Sequence, residues 1–274
     1  MNDRLPNSVE GLSGVICQDR LYKFKNRYVT YTVRPRPDSR KLAFVFSGVD
    51  ATPGTCRMSY FALGETLDAT VVHIMDNFGA HGCYLLSVAG DQQIRNAVIA
   101  LIRLLQDEFA CAKEETYFLG TSKGATTAIV YALMIGGGNV LCGEPQVLLG
   151  DFIFSERWQE LEQWRSLAYA ILGRVDPCDR PLLNRVVLDV FERYGSRFKG
   201  EITIDVGDTG YLEKHVSHLQ AVSKELGVDN RIHIKCHAFT KHDEVIPVFL
   251  EAAENALKTH MPTEAHTPWP DCAA

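Results

Sequence analysis

Five consecutive residues, Gly120-Thr121-Ser122-Lys123-Gly124, set a serine between two glycines. A serine hydroxyl is a weak nucleophile until a base takes its proton. It becomes an effective one on a sharp strand-to-helix turn, with backbone N–H groups nearby to hold a developing oxyanion. The flanking residues supply that setting: Thr116-Tyr117-Phe118-Leu119 has strand character, and the Ala/Ile/Val/Leu pattern from Ala125 to Ile135 is helical. The glycines let neighbouring backbone pass close, and the hydroxyl stands at a helix N-terminus, where partial positive charge favours a developing anion. The plain alternative is a turn with a capping serine. The chemistry expected of Ser122 is acyl transfer.

This elbow resembles that of the α/β-hydrolases, in which the partners follow in the order serine, acid, histidine. His242 fits the base, because the strand Arg231–Cys236 precedes it and a helix with Val245, Ile246, Val248 and Phe249 follows. His237 closes the same strand and is its rival. For the acid, Asp208 lies just past the strand Ile202–Val206, in the glycine-flanked loop Val206-Gly207-Asp208-Thr209-Gly210; Asp205, inside the strand pattern, is the rival. An acid there would hold the imidazole tautomer and stabilise the imidazolium. The oxyanion donors expected are the N–H of Lys123 and that of Gly48 or Val49, in the loop after Leu42–Phe46.

The elements that must position these residues alternate. Strands are expected at 28–33, 42–46, 70–75, 116–119, 139–142, 202–206 and 231–236. Helices are expected at 92–109, 125–135, 211–226 and 243–258. Such alternation predicts a mainly parallel sheet with helices on both faces, in one domain over residues 1–274; the resemblance at the elbow implies that this is an α/β-hydrolase fold. Two helical stretches rich in Leu, Trp and Arg read as a helical insertion at about 156–195. The first 25 or so residues read as an irregular lead-in, and the tail from about 259 as loose.

Composition narrows the partners. The 274 residues carry a net charge of −6, so no nucleic-acid footprint is expected. No apolar run reaches the roughly 18 residues of a membrane span, and the N-terminus lacks a signal-peptide layout. Eight cysteines without a Cys-x-x-Cys pair read as reduced thiols, which with the preceding points suggests a cytoplasmic protein. His215 and His218 stand one helical turn apart without an evident third ligand, and read as a solvated helix face rather than a metal pair. Gly136-Gly137-Gly138 reads as a helix stop.

Five segments together resemble the capsular polysaccharide biosynthesis proteins of the XcbB/CpsF type, with bacterial capsule O-acetyltransferases and accessory-secretion glycan acetyltransferases as relatives. They are Phe46-Ser47-Gly48, Met75-Asp76-Asn77-Phe78-Gly79, Gly120-Thr121-Ser122-Lys123-Gly124, Gly143-Glu144-Pro145-Gln146 with Gly150-Asp151, and His242-Asp243-Glu244-Val245. The resemblance implies Ser122 as nucleophile, Asp208 as acid and His242 as base. It also implies acetyl transfer from acetyl-CoA, a passing donor rather than a bound cofactor, to a carbohydrate hydroxyl. One departure is Gly124-Ala125, where relatives often carry two glycines. Arg157, Trp158, Trp164 and Arg165 in the insertion are candidate acceptor contacts, since aromatic faces stack on sugars and guanidinium groups pair with anions. With water as acceptor the same machinery is an esterase or thioesterase; a non-catalytic glycan- or protein-binding module on the same fold is the reading from another class.

Overall fold

The computed structural model describes residues 8–10, 16–50, 52–155 and 164–258. Among them, nine strands form one sheet in the order β1-β2-β3-β5-β4-β6-β7-β8-β9. The strands are β1 (Ser8–Glu10), β2 (Ile16–Phe24), β3 (Arg27–Arg34), β4 (Leu42–Phe46), β5 (Thr70–Ile74), β6 (Thr116–Thr121), β7 (Asn139–Gly143), β8 (Glu201–Val206) and β9 (Ile232–Cys236). From β5 through β4 to β9 every pairing is parallel; β1, β2 and β3 extend the sheet antiparallel.

The inner parallel strands β4 and β5 are buried along their length because both faces are covered. In β4 the period of two is explicit: Leu42, Phe44 and Phe46 enter one core, Ala43 and Val45 the other. The larger core is closed by α2 (Gln93–Glu108), α3 (Lys123–Ile135), α4 (Leu149–Ile153), α5 (Arg165–Leu172), α6 (Arg180–Tyr194) and α7 (Ser217–Glu225). The smaller is closed by α1 (Leu63–Thr66) and α8 (Val245–Ala256), through Leu63, Phe249 and Ala253.

Three expectations need adjustment. The lead-in contains β1 and β2; an edge hairpin keeps one face wet, as the half-exposed Leu21 illustrates, so its pattern is too polar to stand out. Within the expected insertion, α5 and α6 send Leu167, Ile171, Leu183, Val187 and Phe191 into the main core. The expected helix at 211–226 begins with a π turn, Leu212–Val216, before α7. The tail from 259 lies outside the described residues. Among those residues, no helix is long and apolar enough to cross a membrane, and no three metal-ligating side chains gather.

Two buried histidines make the fold acid-sensitive. His73 on β5 and His215 in the π turn are 1% and 5% exposed, and desolvation lowers each pKa from 6.5 to about 4. His215 Nδ1 accepts the Leu148 N–H at 3.2 Å, so that helix-face histidine is a structural acceptor. The unfolded chain binds protons as pH falls through about 6.5, while the folded chain resists until about 4, so stability is lost across that window. Each site can contribute roughly 3 kcal/mol of loss. Thermal melts at steps from about pH 8 to 4 should fall steadily below about 6.5; a flat profile there would contradict the assignment.

Candidate active site

Ser122 follows β6 directly and precedes α3, with φ 55° and ψ −120°, a conformation non-glycine residues avoid. The turn holds because backbone crosses at near contact. A Cβ on Gly120 would lie 2.5 Å from the Gly124 carbonyl carbon, and one on Gly124 would lie 2.4 Å from the Phe46 oxygen. Both glycines of the motif are thus steric requirements, and the second locks the elbow against the loop after β4. The Ser122 N–H donates to Gly143 O at 2.8 Å, tying the elbow to the end of β7.

The residue after Gly143 is Glu144, fully buried and itself at φ 45°. Its Oε2 lies 2.5 Å from His242 Nδ1. Its Oε1 accepts the Gly207 N–H at 3.2 Å and the Thr209 hydroxyl. With these donors satisfied, the carboxylate is fixed as an acceptor, and its bond to Nδ1 selects the tautomer that leaves His242 Nε2 unprotonated. The imidazole stacks on Tyr211 at 4.5 Å and 7° between planes. Its loop is pinned by Glu244 Oε2, which accepts the Thr240 and Lys241 N–H groups at 3.0 Å each. The His242 side chain is 37% exposed, so one edge faces solvent.

Asp208, the expected acid, is exposed, and its backbone N–H serves Phe239 O at 2.8 Å. The carboxylate against His242 is Glu144 instead. The reason is topological: β7 is the immediate neighbour of β6, so the residue after β7 is nearer the elbow than the loop after β8. Glu144, like Asp208, lies between Ser122 and His242 in the chain. Asp205 and His237 form a separate pair, His237 Nε2 to Asp205 Oδ1 at 2.8 Å, with Asp205 buried. Among the described residues no hydrogen bond joins Ser122 Oγ to His242; the hydroxyl accepts from Gln146 Nε2 at 2.8 Å. Glu144 and Gln146 lie in Gly143-Glu144-Pro145-Gln146, a segment marked by the resemblance, but chain order alone does not separate Glu144 from Asp208.

Of the expected oxyanion donors, the Gly48 N–H is engaged by Ser59 Oγ at 3.0 Å. The N–H groups of Val49 and Lys123 carry no hydrogen bond among the described residues, and Lys123 opens α3, where N–H groups lack helical partners. The Lys123 side chain turns inward: Nζ donates to Asp76 Oδ2 at 2.8 Å and to His81 O at 3.1 Å. Asp76 also accepts the Cys83 N–H at 2.9 Å, so this buried ion pair pins the loop after β5 beneath the elbow. A cavity of about 170 Å³ opens there, bounded by Gly48, Val49, Asp50, His81 and Lys123.

Trp164 is half-buried, its ring 5.3 Å from His81 and 6.0 Å from Phe152, which places it near that cavity. Arg165 starts α5 and is half-buried. Arg157 and Trp158 lie outside the described residues.

No family model matches the sequence, and no curated protein sequence does. Solved structures do match. The capsule O-acetyltransferase of Neisseria meningitidis serogroup A, in complex with CoA, is similar at TM-score 0.75 and 18% identity, over 93% of this chain and 98% of that one. The glycosylation-associate protein complex of Streptococcus agalactiae is similar at 0.74 and 13%, over 89% and 47%. FphF, a fluorophosphonate-binding serine hydrolase of Staphylococcus aureus, is similar at 0.58 and 12%, over 88% and 97%. The chain has the α/β-hydrolase fold and, in that fold, resembles the capsule O-acetyltransferase over nearly its whole length.

Proposed function

We propose that the protein is a serine-dependent O-acetyltransferase, moving an acetyl group from acetyl-CoA to a hydroxyl of a bacterial polysaccharide. Ser122 is the nucleophile, His242 the base and Glu144 the acid. The reading rests above all on the 2.5 Å contact of buried Glu144 with His242, one residue beyond the Gly143 carbonyl that holds the Ser122 backbone. The likeness to an O-acetyltransferase with bound CoA supports the donor and the acceptor class.

Ser122 Oγ attacks the thioester carbonyl as His242 Nε2 takes its proton, and the carbonyl electron pair moves onto oxygen. The oxyanion rests on the Val49 and Lys123 N–H groups. Collapse expels the CoA thiolate, which takes the proton from the imidazolium and leaves acetyl-Ser122. The acceptor hydroxyl then gives its proton to His242 as its oxygen attacks the ester. Collapse of the second intermediate breaks the Oγ–C bond and returns the proton to Ser122. Glu144 holds the ring and stabilises the imidazolium without taking the proton.

CoA release from acetyl-CoA, followed with a thiol reagent, tests transfer. Release is expected to be slow in water and to accelerate on adding a polysaccharide acceptor; equal rates with and without every acceptor would make the protein a thioesterase. Trp164 and Arg165 are proposed acceptor contacts. Trp164→Ala and Arg165→Ala should slow the acceptor-dependent phase while leaving acylation of Ser122 intact, and equal loss of both steps would count against that role.

A further inference from the structure

A serine hydroxyl has one proton to give and two lone pairs to receive. In this fold one lone pair of Ser122 is already committed, to Gln146 Nε2 at 2.8 Å. The amide is not free to choose its orientation. Tyr84 O–H donates to Gln146 Oε1 at 2.5 Å, and both residues are buried, at 0% and 1% exposure. Burial pushes the Tyr84 phenol well above its ordinary range, so it keeps its proton, and among the described residues Gln146 Oε1 is the acceptor found for that proton. The Gln146 backbone is clamped too: its N–H donates to Thr126 Oγ1, and Thr126 Oγ1 donates to Gln146 O, each at 2.8 Å. Thr126 lies one helical turn beyond Ser122, so the clamp and the nucleophile ride on the same helix start.

We infer that Gln146 is a further catalytic residue: by donating to Ser122 Oγ it keeps the hydroxyl proton from the amide side and stabilises the oxygen whenever it carries negative charge. Tyr84 is a positioning residue that fixes the amide orientation. This rests on Ser122 being the nucleophile. The donation matters twice in the cycle. In acylation it stabilises charge on Oγ as His242 removes the proton and the Oγ–C bond forms. In deacylation it stabilises Oγ as the leaving oxygen while the Oγ–C bond breaks and the imidazolium returns the proton. Without Tyr84 the amide can turn over, present Oε1 to Ser122, and accept the proton His242 needs.

The test is the rate at which a fluorophosphonate probe labels the full-length protein, read by intact mass, for Gln146→Met, Gln146→Glu, Tyr84→Phe and the double variant Tyr84→Phe/Gln146→Met. Removing a single donor to a reacting oxygen predicts a loss of about 10²-fold for Gln146→Met. Gln146→Glu should be slower still, because its carboxylate accepts the Ser122 proton. Tyr84→Phe should lose about tenfold, and the double variant should match Gln146→Met alone, since Tyr84 acts only through the amide. Labelling of Gln146→Met at the wild-type rate, Gln146→Glu no worse than Gln146→Met, or losses that multiply in the double variant would each overturn the inference. If Gln146→Met does not fold, Tyr84→Phe decides: tenfold slower labelling supports the inference and an unchanged rate overturns it. Wild-type labelling that is lost in Ser122→Ala separates this test from the parent reading. Wild-type protein that is never labelled at Ser122 would remove the nucleophile and the inference with it.

Discussion

Ser122→Ala and His242→Ala should each reduce acceptor-dependent turnover on the order of 10⁶-fold, and the double variant should be no slower than either. Nucleophile and base act on one proton and one bond, so removing either removes the shared step, and the losses cannot add. Melting temperatures are to be measured alongside, because His242→Ala leaves the buried Glu144 carboxylate without its Nδ1 partner and Ser122→Ala leaves the buried Gln146 amide without its acceptor; the turnover loss is read on folded protein. Single-turnover CoA release with saturating acetyl-CoA checks this. Losses that multiply in the double variant would mean that the two residues serve separate steps.

Glu144→Gln should cost about 10⁴-fold while Asp208→Asn changes little. The difference follows from a single contact. Glu144 Oε2 is 2.5 Å from His242 Nδ1, whereas Asp208 is exposed and engages Phe239 through its backbone. An amide at position 144 can donate to Nδ1 and so favour the tautomer with hydrogen on Nε2, which cannot accept the serine proton. Asp205→Asn supplies the internal control, because Asp205 serves His237 instead. Turnover measured for the three variants under one set of conditions distinguishes them. If Asp208→Asn or Asp205→Asn suffers the large loss and Glu144→Gln does not, the acid has been misassigned.

The elements that position the site were largely readable because their signals are local. Apolar runs such as Leu42–Phe46 and Thr70–Ile74 announce strands buried on both faces, and the glycines around Ser122 announce a turn with no room for side chains. His242 was legible as a candidate for the same reason, since it sits between a strand and a helix of clear pattern. The carboxylate that contacts it was not. Asp208 and Glu144 both follow strand ends after the serine and before the histidine, so chain order admits both. What separates them is sheet order, a non-local property: β7 lies beside β6, and β8 lies one strand further out. The same holds for the loop after β4. Gly48 and Val49 are equivalent donors in sequence until Ser59, eleven residues on, takes the Gly48 N–H. The bond from Gln146 to Ser122 was likewise hidden, because it depends on Tyr84, 62 residues away in the chain, to orient the amide.

The proposed mechanism requires a covalent acetyl-Ser122 intermediate. Intact-mass analysis after rapid mixing with acetyl-CoA, in the absence of acceptor, detects it. A single acetyl adduct is expected, which maps to Ser122, is lost in Ser122→Ala, persists longer in Glu144→Gln than in wild type once formed, and is discharged when a polysaccharide acceptor is added. Acceptor-dependent acetyl transfer that proceeds with no adduct on Ser122, or an adduct that forms equally well in Ser122→Ala, would contradict it.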